Sequence, residues 1–120
     1  MAEYYMIFIM ERAALFEGFT AEQWHELDLK HIAFSEAVAA DGAEVILVDP
    51  LEAPSPGARL TPSPDGGPAI VTDGPYAETK EIVLGYYKLK VRDEAQARKL
   101  AALCPTAGWV ELRKVMTAHA

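Results

Sequence analysis

The apolar pattern of this 120-residue chain predicts a single α+β domain, residues 1–120, of ferredoxin-like type with an extra hairpin ribbon. Three observations lead there. Short aromatic and β-branched runs alternate with amphipathic stretches in the order strand, helix, strand, ribbon, strand, helix, strand, which is a split βαβ repeat with one insertion. With 51% hydrophobic and 24% charged residues in 13.1 kDa, the chain is globular and long enough for one core but not for two. The strands are also apolar on successive positions, so both of their faces call for cover.

The elements follow from local chemistry. Tyr4 to Met10 is an unbroken apolar run of strand length; the segment Met1–Met10 that holds it carries Glu3 and lacks the basic flank and small-residue cleavage site of a secretory signal. Thr20-Ala-Glu-Gln23 is a capping box, in which the Thr hydroxyl and the Gln side chain satisfy free backbone donors at a helix start. The helix is predicted from Ala21 to Ala40, with Trp24, Leu27, His31, Phe34 and Val38 on one inward stripe. Asp41-Gly42 ends it, because glycine enters the left-handed region without steric cost.

Ala43 to Asp49 is the second strand. From Pro50 to Pro68 the chain holds six of its eight prolines, which rules out regular helix and leaves a long loop or an edge ribbon. Pro64-Asp-Gly-Gly67 is a turn signal between Arg59-Leu-Thr61 and Ala69-Ile-Val-Thr72, predicting a short hairpin that brings Arg59 toward Ile70. Asp73-Gly-Pro75 makes a second turn, and Ile82 to Val91 is the longest strand. Asp93 caps a second helix with Ala97, Leu100, Ala101 and Cys104 inward, and Trp109 to Val115 is the last strand.

Two helices cover only one face of such a sheet. In the strand from Ile82, Val83, Gly85, Tyr87, Leu89 and Val91 are expected on one side, yet the other side still carries Ile82, Leu84 and Tyr86 before turning to Lys88 and Lys90. Packing that second face on a copy of itself removes it from water, so a homodimer is expected. The formal net charge of −7 opposes phosphate backbones and anionic headgroups, so neither nucleic acid nor membrane is an expected partner. Cys104, the single cysteine, has no disulfide partner, and a reducing cytoplasm is the expected setting.

His31 is the leading chemical group, an imidazole in the middle of an apolar stripe. The segment Thr72-Asp-Gly-Pro-Tyr-Ala-Glu-Thr-Lys-Glu81 supplies several charges just after a strand end. A carboxylate from it, brought to His31, would fix the imidazole tautomer and raise its basicity, as a general acid–base requires. Glu78 and Lys80 belong to that run as substrate contacts, or else to a solvated charged face. Arg59 is expected to pair with an anionic substrate group, and Tyr76 to pack on a ring at the cleft wall. Tyr86, Tyr87 and Trp109 read as core aromatics or pocket walls. His25 sits six positions before His31, about 600° around the helix, so the two make no metal pair. No zinc, EF-hand, phosphate-loop or serine-elbow spacing is present, so no metal and no cofactor are expected.

Val71-Thr-Asp-Gly-Pro-Tyr-Ala-Glu-Thr-Lys-Glu81, between the unit containing His31-Ile-Ala-Phe34 and the Gly85-Tyr-Tyr87 strand, resembles the DGPF branch of the YCII-related proteins over nearly the whole chain. Where that branch usually has phenylalanine the chain has Tyr76, which keeps the ring and adds a hydroxyl. The resemblance implies a dimeric α+β barrel and a His–Asp pair in a cleft beside the dimer interface, mapping onto His31 and Asp73. It implies a small-molecule enzyme, with lyase- or dehalogenase-like chemistry among its relatives. The alternative, drawn from the acidic balance, the absence of cofactor motifs and the long proline-rich segment, is a non-catalytic dimer that binds a ligand or a partner; the resemblance implies a sigma factor of the extracytoplasmic-function class as such a partner.

Overall fold

The computed structural model describes residues 2–12, 14–52, 58–73 and 81–117, without the side chains of Thr72 and Asp73. The element order is β1 (Glu3–Arg12), α1 (Ala21–Ala40), β2 (Glu44–Pro50), β3 (Ala58–Thr61), β4 (Ile70–Asp73), β5 (Glu81–Val91), α2 (Glu94–Ala101) and β6 (Trp109–Lys114). Four strands form an antiparallel sheet in the order β2-β5-β1-β6, and among the described residues β3 and β4 pair only with each other. The protein is thus α+β, with two helices and an antiparallel sheet.

β1 is central because its alternate side chains Tyr5, Ile7 and Ile9 are all buried toward the helices. They meet Tyr87, Leu89 and Val91 of β5, Phe34 and Val38 of α1, and Ala97, Leu100 and Ala101 of α2 in one core. The Thr20 capping box forms as expected: Oγ1 accepts from the Gln23 amide at 3.1 Å, and Gln23 accepts from the Thr20 amide at 2.8 Å. Gly42, at φ 82°, follows the end of the helix. Asp93 caps α2, and the buried Gln96 ties its first turn to the end of α1 by donating to the Asp41 carbonyl at 2.7 Å and carboxylate at 3.1 Å.

Four expectations need correction. The sheet is open, not a closed barrel: among the described residues β2 and β6 are free edges, and four strands are too few to close on themselves. A bulge interrupts β5. Ile9 lies opposite Gly85 but Met10 lies opposite Val83, so the extra residue Leu84 shifts the alternation and puts Val83 on the face away from Tyr87. Burial along α1 fades toward its start, with Val38 and Phe34 enclosed while Trp24 is 43% exposed and packs on Phe16 and Phe19. In the ribbon, Arg59 faces Thr72, and it is Thr61 that faces Ile70.

Opposite the helices, Met6, Phe8 and Met10 of β1 share the open sheet face with Val83 and Tyr86, while Lys88 and Lys90 occupy one end of it. Tyr86 donates to the Asp49 carboxylate there at 2.5 Å.

Candidate functional site

α1 and β5 bring the site together. His31 lies on the helix one turn before Phe34 and Ser35, and the pleat of β5 turns Tyr87 toward the same helix. His31 Nδ1 is 2.7 Å from Tyr87 Oη, and the two rings stack with centroids 5.8 Å apart and planes at 16°. Phe34 meets the edge of Tyr87 at 4.8 Å, closing the phenol in so that it is 1% exposed.

Burial sets the protonation of both groups. It pushes the Tyr87 phenol up to about 12, with Cys104 adding to the rise and the Ser35 hydroxyl opposing it. It pulls the His31 imidazole below its ordinary value, against the weaker opposing pull of Asp28. At neutral pH the pair is therefore a neutral imidazole and a neutral phenol sharing one hydrogen bond. With the phenol donating to Nδ1, Nε2–H is a hydrogen-bond donor; with Nδ1–H donating to the phenol oxygen, Nε2 is a free base that becomes an acid once it has taken a proton.

Of the residues expected at the site, His31 is half-buried and engaged as described. The backbone of Asp73 ends β4, but its side chain lies outside the described residues, as do Tyr76, Glu78 and Lys80. Arg59 is exposed on β3, in the separate ribbon. Tyr87 was expected only as a core or pocket aromatic, and its polar role was missed. Its signal was readable: a buried phenol needs a hydrogen-bond partner, and His31 is the imidazole on the facing stripe.

A second unusual group lies at the far end of β1. Glu11 is 6% exposed; Oε1 accepts from Thr106 Oγ1 at 3.3 Å and the Ala107 amide at 3.4 Å, while Oε2 has no partner among the described residues. Burial pushes its carboxyl up, against those two hydrogen bonds. Cys104 is buried as well, its thiol pushed up to about 12 by burial and by Glu11, as befits an inert core sulfur. Glu11, Trp109 and Gly108 line a cleft of about 380 Å³, and Tyr5, Arg98 and Lys114 line another of about 440 Å³; His31 borders neither. Among the described residues no three His, Cys, Asp or Glu side chains converge, and no helix is long and apolar enough to cross a membrane.

Comparison with known proteins places this chain in a family. The model of the YCII-related domain matches residues 4–118. An uncharacterized protein of Rhizobium meliloti (strain 1021) is 42% identical over 69 residues, covering 48% of this chain and 56% of the relative, so the match spans little more than half of that protein. Since the family match runs from the first residues of β1 to beyond β6, taking in both His31 and Tyr87, the chain belongs to the YCII-related domain family.

Proposed function

We propose that the protein is a small-molecule enzyme in which His31 is the general acid–base. The observation that carries this reading is the 2.7 Å bond between His31 Nδ1 and the enclosed Tyr87 phenol, which fixes one ring nitrogen and leaves Nε2 as the atom for a substrate. A group with this orientation and a lowered pKa is neutral at physiological pH and ready to take a proton. In this reading Asp73 approaches the imidazole from the end of β4, Arg59 pairs with an anionic group of the substrate, and Tyr76, Glu78 and Lys80 complete the cleft. The substrate is a small polar or aromatic metabolite, the chemistry is lyase- or dehalogenase-like, and the compartment is the cytoplasm.

The same reading takes the subunit as ferredoxin-like and the working unit as a homodimer. With the ribbon set aside, the order β2-β5-β1-β6 is that of a split βαβ repeat, which supports the first. The second is supported by the open sheet face, where Met6, Phe8 and Met10 of β1 form an apolar centre that a copy of itself would cover.

A rival reading, a non-catalytic dimer that binds a ligand or a sigma factor, is favoured by one observation: His31 borders neither described cleft. The deciding experiment is a metabolite library screened for thermal stabilisation, followed by turnover of the hits with wild type and His31→Asn. Loss of about 10²–10⁴ in turnover with binding retained supports the enzyme. Undiminished turnover in the variant removes His31 from the chemistry, and hits that bind without turning over favour the binding module.

A further inference from the structure

We propose that the β3–β4 ribbon is an intersubunit arm that seats Leu60 and Val71 on a second copy of this chain. The proposal rests on the homodimer reading and adds to it the segment that reaches across.

The ribbon has little support from its own subunit. Its strands are four residues each, they hydrogen-bond only to one another, and among the described residues they make no substantial packing contact with any helix or with the main sheet. An isolated two-stranded ribbon is marginal in water and needs an apolar surface to rest on. It carries the side chains for one. Leu60 and Val71 are directly paired, so they project from the same face, and they are 58% and 55% exposed. Ile70, one position on, is 67% exposed toward the other face. The turn joining the strands is well formed: Asp65 accepts from the Ser63 hydroxyl and from the Gly67 amide at 3.1 Å, and Gly66 has φ 82°. A formed hairpin with bare apolar side chains is an interaction element, not a slack connection.

Where it is rooted identifies the occupant. The ribbon follows β2 and precedes β5, neighbours in the sheet whose paired residues Pro50 and Gly85 mark the same end. It therefore springs from the end of the sheet whose open face carries Phe8, Met10 and Val83. Packing two copies by that face sets each ribbon beside the other copy, and two-fold symmetry makes the exchange reciprocal.

Sedimentation equilibrium of the full chain separates the arm from the interface as a whole. Wild type is expected at twice 13.1 kDa. Replacing Leu60→Asp and Val71→Asp together is expected to weaken the dimer by about 100-fold, the loss of two anchor side chains. Dimerisation of this variant at wild-type affinity overturns the arm and leaves the dimer standing, whereas a monomeric wild type overturns both. Hydrogen exchange needs no substitution in the ribbon. The amides of residues 58–61 and 70–73 are expected to be protected in concentrated wild-type protein and to lose protection on dilution below the dissociation constant. Equal exchange at both concentrations, with dimer present in one, refutes the arm.

Discussion

Tyr87 governs what His31 does, because the phenol engages Nδ1 while the stacked ring holds the imidazole plane. Tyr87→Phe keeps the stack and removes the bond. It is expected to cost about 1 kcal/mol of stability in urea denaturation and, on the enzyme reading proposed above, to lower turnover by about 10–100-fold, the usual effect of losing an orienting partner. The pH profile is expected to shift with it, which a purely structural role would not produce. His31 and Glu11 bend the stability curve in opposite senses. The folded-state pKa of His31 is lowered, so its contribution is fully present above the ordinary imidazole value and is lost as pH falls through the lowered one. The folded-state pKa of Glu11 is raised, so its contribution is fully present below the ordinary carboxylate value and is lost as pH rises through the raised one. Glu11→Gln cannot ionise. The variant is expected to be more stable than wild type at pH 8, by about 1 kcal/mol, and to lack the gain that wild type draws from Glu11 as the pH is lowered. Denaturant titrations at pH 5 and pH 8 check this, and an unchanged pH dependence would show that Glu11 keeps its charge in the fold.

At the level of elements, the approach of the α2–β6 connection to β1 has the least tolerance. A Cβ built on Gly108 would run into the Met10 carbonyl oxygen, a backbone atom that cannot swing aside. Gly108→Ala is therefore expected to cost about 1–3 kcal/mol, toward the upper end, with a lowered Tm as the readout. That contact is invisible in the sequence, where Gly108 is one glycine among eight. Much else was legible because its chemistry is local. The limits of α1 at Ala21 and Ala40 follow from Thr20-Ala-Glu-Gln23 and Asp41-Gly42, and the ribbon's turn follows from Pro64-Asp-Gly-Gly67. The bulge at Leu84 was not, since Val83 and Leu84 are apolar alike and leave no mark of which face each one takes. The His31–Tyr87 bond joins residues 56 apart, so neither local pattern contained it. Glu11, near the end of a strand, reads as a solvated charge, and only the packing of Thr106 and Ala107 over it makes it a buried acid.

As a whole the molecule is a slab, 49 × 47 × 18 Å, one sheet deep and one helical layer thick. Its radius of gyration is 16.9 Å, against about 13.6 Å for a compact domain of this length. The order β2-β5-β1-β6 has a further effect on how such a slab is made. β1 is flanked only by β5 and β6, both encoded far downstream. On the ribosome, the run from Tyr5 to Met10 is made before either of its partners and waits for roughly eighty more residues until the first of them is synthesised, about 4–16 s at ~5–20 residues per second. During that interval an apolar strand with two unpaired edges is presented to the cell, which is the condition that favours chaperone capture or aggregation. Nascent chains stalled before Val91 are expected to be cleaved freely within β1, and released full-length chains to resist. Protection of β1 in the shorter chains would mean that α1 alone shelters it. A strand whose Tyr5, Ile7 and Ile9 end up buried in the finished protein thus stays bare for much of its synthesis.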